Sequence, residues 1–169
     1  AASLGANTIL TSTAAGNIGF ADTLNGLFTL AVNTTGDTVF GGSVGANTAL
    51  TSLTTNAGGN VAINGGSVRT SGAQSYGEAV SLGANTTLTS TSAGNIGFAD
   101  TLNGAYSLAI NTTGDTIFNG SVGANTALTS LTTNAGGTVA INGGSIRTSG
   151  AQSYGEAATL GANTILSSF

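Results

Sequence analysis

The sequence predicts an all-β chain, a parallel β-helix or β-solenoid, on three observations. A 78-residue unit recurs in tandem, short alternating apolar segments recur within it, and Gly/Asn turn clusters separate them while charge is nearly absent. SLGANTILTS starts at Ser3 and SLGANTTLTS at Ser81, which sets the period at 81 − 3 = 78. Residues 3–80 and 81–158 differ at 11 positions, most of them mild, as in Val32/Ile110, Val39/Ile117, Val68/Ile146 and Phe28/Tyr106. TLGANTILSSF opens a third copy at Thr159. The chain therefore reads as one continuous solenoid over 1–169, with repeat one at about 3–80, repeat two at about 81–158 and a partial third at 159–169.

Within the repeat, SVGANTALTS at Ser43 echoes SLGANTILTS at an offset of 43 − 3 = 40. A finer unit places a large apolar residue four positions after a glycine. Its anchors are Phe20, Phe40, Ile63 and Tyr76, then Phe98, Phe118, Ile141 and Tyr154, with intervals of 20, 23, 13 and 22 residues. Four units per 78 residues give coils of about 19–20 residues, enough for three short strands and three turns. LFTLAVN (27–33), TVFGG (38–42), NVAING (60–65) and AQSYGEAV (73–80) carry period-2 alternation and β-branched residues. AAGN, TLNG, NTTGD, NAGGN and NGGS between them are turn text. No apolar i, i+3, i+4, i+7 pattern is sustained, which argues against helix. Stacked at about 4.8 Å, roughly 8 to 9 coils make a rod about 40 Å long. The eight anchors are expected to form one interior ladder, each contributing on the order of 2 kcal/mol by burial.

Gly 28, Thr 29, Ser 18 and Asn 17 make up 92 of the 169 residues, and only 5% are charged. Hydrophobic residues at 40%, no Pro or Lys and only two Glu separate this composition from a disordered chain. Without His or Cys there is no zinc or haem ligand set, thiol nucleophile or Ser-His triad. Two Arg and a net charge of −4 leave no phosphate-binding surface for nucleic acid. No run approaches the ~18 apolar residues of a membrane helix. The absent Met and the ends that fall within repeats lead us to expect a processed product or an excerpt of a longer chain.

The runs GGSVRTSGAQSYGEAVSLGANTTLTS and VFGGSVGANTALTSLTTNAGGNVAINGGS resemble repeats of very large bacterial surface proteins, the filamentous-haemagglutinin-like exoproteins of two-partner secretion and related adhesins. The likeness covers both copies. It implies a right-handed parallel β-helix with coils near this size, forming an exported, extracellular or cell-surface shaft.

The charges are the only candidates for chemistry. Two positions after each anchor stand Asp22, Gly42, Gly65 and Glu78, then Asp100, Gly120, Gly143 and Glu156. Alternation of acid with glycine reads first as a corner, since Gly and Asp both tolerate tight turns. Glu78 and Asp100 share a register on consecutive coils, where two carboxylates about 5 Å apart could share a proton or cation, or act as a glycosidase pair. Asp37 and Asp115, in TTGDT, are expected to bond their own turn backbone. Arg69 and Arg147 lie outside any basic cluster and read as solvated or paired. Identical charges are expected about four coils, ~19 Å, apart, beyond the Debye length of ~8 Å. The calcium nonapeptide is absent. Thr11–Thr13 and Thr89–Thr91 read TST, but LAVN and SLTTN interrupt any Thr grid of the ice-binding kind. No catalytic, cofactor or metal residue is assigned. The expectation is a non-enzymatic shaft or fibre segment that associates end to end with its own copies or flanking repeats, with an ice- or glycan-binding module as the alternative. Neither SLGANTIL nor NTILSSF reads as a polar cap, so bare strand edges are expected at both ends.

Overall fold

A computed structural model describes residues 1–56 and 58–169. Every described strand pair is parallel, and the strands stack in three faces of a solenoid. The chain visits the faces in the same order on each turn. The first face runs Ala2–Ser3, Leu24–Asn25, Val44, Ser67–Thr70, Thr86–Ser90, Ser107–Asn111, Ser130–Thr133 and Gln152–Tyr154. The second runs Thr8–Thr11, Thr29–Asn33, Ser52–Thr55, Gln74–Tyr76, Ile96–Phe98, Thr116–Phe118, Thr138–Ile141 and Ala157–Leu160. The third runs Ile18–Phe20, Thr38–Phe40, Asn60–Ile63, Ala79–Leu82, Leu102–Asn103, Val122, Ser145–Thr148 and Ile165–Ser168. Eight strands deep, the rod is about 38 Å long.

Alternation does what the pattern predicts. In Thr29–Asn33, Leu30 and Val32 are buried and the residues beside them are not, and the same holds for Leu108 and Ile110 in Ser107–Asn111. The buried residues of all three faces meet in one apolar core along the axis. A single coil could not enclose it.

The coil length differs from the expectation. Interior neighbours on the second face are Leu10, Val32, Thr55, Tyr76, Phe98, Phe118, Ile141 and Leu160, at steps of 19 to 23 residues. Ala2–Ser3 on the first face corresponds to Val80 and Ser81 on the third, eleven strand positions later when Val44 is counted. At three positions per coil the 78-residue repeat is 11/3 of a turn, so a coil holds about 21 residues, not 19–20. The sequence repeat is therefore not a whole number of coils. Thr8–Thr11 lies on the second face and its equivalent Thr86–Ser90 on the first; Ile18–Phe20 lies on the third and Ile96–Phe98 on the second. Each repeat sets its residues a third of a turn away from their predecessors.

The expected single anchor ladder is for the same reason two. Phe20, Phe40 and Ile63 stack on the third face and continue to Leu82. Tyr76, Phe98, Phe118 and Ile141 stack on the second and continue to Leu160. Tyr154 belongs to neither and sits on the first face beside Thr133. The 13-residue interval from Ile63 to Tyr76 spans two strand positions rather than a turn. Rings within each ladder lie nearly parallel, with centroids 5.6 Å apart for Phe20/Phe40, 5.2 Å for Tyr76/Phe98 and 5.4 Å for Phe98/Phe118. Such pairs add about 0.5–1.5 kcal/mol each beyond burial. The half repeat also changes role. Residues 45–49 leave the first face as an excursion between the bridges Val44↔Val68 and Leu50↔Thr70, whereas the matching stretch near Ser3 turns a corner into Thr8–Thr11.

Asparagine side chains hold corner to corner. Asn17 Oδ1 accepts the Asp37 N–H at 2.8 Å, Asn56 Oδ1 the Thr34 N–H at 2.9 Å, and Asn25 Oδ1 the N–H groups of Asn47 and Thr48 at 3.0 and 3.1 Å. Each bond joins adjacent coils and satisfies a turn donor that has no strand partner. Glycine is required where coils touch at a corner: a Cβ on Gly42 would strike the Asp22 backbone, and one on Gly65 the Gly42 backbone.

Two turns carry strain. Ala15 and Ala93 have φ of 56° and 57°, a left-handed conformation unfavourable for a residue with a Cβ. Ala93→Gly is expected to raise unfolding free energy by about 1 kcal/mol in chemical denaturation. Ala31→Gly, in the extended strand Thr29–Asn33, is expected to lower it by about 0.5–1 kcal/mol. A loss in both variants would contradict this assignment.

Candidate functional site

The corner acids separate into distinct environments. Asp22 and Asp100 are exposed, and each accepts the N–H of the next residue, Thr23 and Thr101, at 2.6 Å. They are corner residues, as expected. The Ala1 ammonium at 2.9 Å holds the Asp22 carboxyl below its usual range, assisted by the Thr23 N–H. Asp37 and Asp115 do not bond their own turns. Asp115 Oδ1 accepts the N–H and hydroxyl of Thr138 at 3.0 and 2.9 Å, and Asp37 Oδ1 accepts Asn60 Nδ2 at 3.3 Å, so both tie one coil to the next. Parallel stacking brings Asn60 and Thr138 of the following coil within hydrogen-bonding reach of these carboxylates. Arg69 and Arg147 are exposed, and the Arg147 guanidinium lies 4.9 Å over the Phe169 ring.

Glu78 is the exception. It is 2% exposed, turned into the rod, whereas Asp100 on the next coil faces solvent. The two do not form a carboxylate pair, because they lie on opposite sides of the corner backbone. Burial pushes the Glu78 carboxyl above its usual range. The Thr55 hydroxyl and the N–H groups of Gly77 and Glu78 lie near enough to oppose that shift in part. None reaches hydrogen-bonding geometry, and both Glu78 oxygens and Thr55 Oγ1 are without a partner among the described residues. The same arrangement recurs one repeat on, where Thr133 Oγ1 and Glu156 Oε2 are likewise unpartnered. Glu156, on the eighth coil, is only half-buried.

A second interior group neighbours it. Gln74 Nε2 donates to Val68 O at 3.2 Å, Thr70 Oγ1 at 3.2 Å and Thr89 O at 3.0 Å, and the Tyr76 hydroxyl donates to Gln74 Oε1 at 3.0 Å. This clip crosses the lumen from the second face to the first. Gln152 and Tyr154 rebuild it with Ile146 O, Thr148 Oγ1 and Ser167 O, now from the first face to the third. Burial pushes the Tyr154 hydroxyl up to about 12, and the fully buried Tyr76 hydroxyl further. Residue type alone marks AQSYGEA only as strand and corner. Its alternation holds the signal for the clip: Gln74, Tyr76 and Glu78 share a parity, and all three point inward.

Outward threonines form no uninterrupted rank, since Thr11 adjoins Asn33 and Thr89 lies between Arg69 and Asn111. Among the described residues, no three His, Cys, Asp or Glu side chains converge where a metal ion could be held. No family model, curated protein or solved structure matches this chain.

Gln74→Ala is expected to cost roughly 1–3 kcal/mol in chemical denaturation, because it leaves the buried Tyr76 hydroxyl without its acceptor and removes the three bonds that Gln74 Nε2 makes across the lumen. Glu78 sets a pH dependence. Below the ordinary value of 4.5 the folded and unfolded chains both carry the proton, and its contribution to stability is fully present. As pH rises past that value the unfolded chain releases its proton first, so stability falls until the folded carboxyl ionises too. Asp22 acts with the opposite sign, losing its contribution as pH falls below its ordinary 3.8. Thermal melts above pH 4.5 should decline in the parent chain and flatten in Glu78→Gln; equal slopes would refute the assignment.

Proposed function

We propose that this chain is a segment of a structural shaft, a stiff β-solenoid rod that continues end to end with further repeats and performs no catalytic step. The supporting observation is that its end coils keep the interior pattern. Leu160 is 62% exposed where its equivalent Leu82 is 4%, and Leu166 is 50% exposed where Leu88 is 0%. Side chains that are core in mid-rod stand open at the eighth coil, around a recess lined by Gln152, Tyr154, Leu166, Ser167 and Ser168. A further coil would bury them, at about 2 kcal/mol for each large side chain. The mechanical role rests on the inter-coil backbone bonds and on the apolar ladders that join successive coils. An extracellular or cell-surface setting belongs to the same reading and draws on the resemblance of the repeats to those of surface exoproteins.

Imaging and fibre diffraction test it. Filaments should show an axial spacing of about 4.8 Å and, in longer tandem arrays, a repeat of eleven coils or about 53 Å. A monodisperse monomer at high concentration would count against continuity. Thermal hysteresis would favour the ice-binding alternative, and turnover of a polysaccharide would remove the non-catalytic reading.

A further inference from the structure

Resting on the end-to-end reading, we propose that a second copy of this chain docks on the eighth coil through its segment 16–26, and that docking places a proton on Glu156. The eighth coil, Gln152–Tyr154 and Ala157–Leu160, repeats the mid-rod coil Gln74–Tyr76 and Ala79–Leu82. In mid-rod that coil is covered by Ile96–Phe98 and Leu102–Asn103, in the register Tyr76↔Phe98 and Val80↔Leu102. The covering sequence, GNIGFADTLNG at 94–104, occurs residue for residue at 16–26. The surface that closes over Glu78 therefore has a duplicate at the opposite end of the rod. There Ile18–Phe20 pairs with Thr38–Phe40 alone and leaves its other edge open, and Leu24–Asn25 is covered only by the two residues Ala2–Ser3.

Docking in the mid-rod register requires residues 1–12 of the incoming copy to leave. Those residues match 157–168 except at Ser3/Thr159 and Thr11/Ser167. The pairings Ala2↔Leu24 and Leu10↔Val32 are thus remade by Ala158 and Leu166 of the receiving copy with the same residue types. The exchange is close to neutral, and the covering of Tyr154, Leu160 and Leu166 is the gain.

The proton step rests on comparing the two glutamates. They share local sequence and an unpartnered threonine on the preceding coil, Thr55 or Thr133, and differ in that Glu78 has a coil above it and Glu156 has none. Covering Glu156 removes its remaining water, and no cation takes the water's place. The facing groups are Thr133 and Tyr154 with its hydroxyl on Gln152; the incoming Asp22, whose Ala1 partner departs with the released segment, takes the solvent side of the corner as Asp100 does beside Glu78. Arg147 lies away on the third face under Phe169. A carboxylate buried there unpaired is unfavourable, and the group takes up a proton.

Sedimentation of the full chain between pH 4 and pH 8 tests this. Association should weaken toward tenfold per pH unit above the ordinary carboxylate range. Glu156→Gln should associate at pH 8 as tightly as the parent does at pH 4, while Glu78→Gln keeps the parent's dependence. Chains carrying Ser153→Cys and Gly19→Cys, mixed under oxidation, should form a disulfide between copies, since the mid-rod equivalents Ser75 and Gly97 are register partners. Association that ignores pH, or stays pH-dependent in Glu156→Gln, overturns the proton step and leaves stacking intact. Association without the disulfide overturns the docking surface. No association in either chain at any pH overturns the end-to-end reading itself.

Discussion

The interaction on which the rest of this molecule depends is the register between the backbone of one coil and that of the next. No coil has a core of its own, because its three strands enclose apolar side chains only from the sides. Their upper and lower surfaces are supplied by neighbours. Register decides which residues those are. It sets Phe98 on Tyr76, Gly42 on the Asp22 corner and the Asn17 amide oxygen against the Asp37 N–H. Composition answers to the same constraint: glycine is placed where backbones touch, and asparagine where a turn N–H would otherwise be orphaned.

Charge obeys it too. A charge recurring in every coil would stack like on like at strand spacing, costing roughly 1 kcal/mol per contact even at water's dielectric. The chain avoids this more thoroughly than the repeat length suggests. Arg69 lies on the first face and Arg147 on the third, so equivalent charges are not four coils apart along one line. On a given face the same residue returns only after eleven coils, about 53 Å, far beyond the Debye length of ~8 Å.

How much of this is legible in the sequence depends on which forces act locally. Alternation of apolar residues is a property of single strands, and it carries the all-β class and nearly every interior position. The parallel solenoid comes from the tandem unit. The phase between unit and coil does not, because it depends on summing corners of unequal length. The 13-residue interval between Ile63 and Tyr76 is the visible warning: it is too short for a turn, and averaging it into one hides the phase. Glu78 is hard to place for a related reason. Residue type argues for a solvated corner, while strand parity argues for the interior, and parity prevails because Gln74 and Tyr76 already fix it.

Eleven strand positions and three faces share no common factor, and this bears on how such a chain can change length. Gain or loss of one whole 78-residue unit leaves the inter-coil register unchanged, since the coils past the junction meet equivalent neighbours that differ only where the copies themselves differ. Yet it turns everything beyond the junction by a third of a revolution. Three units must be added or removed before an outward residue returns to its original side. Variation in copy number therefore acts as a rotary index on the far end of the rod, changing which way it faces while leaving the bonds that hold it untouched.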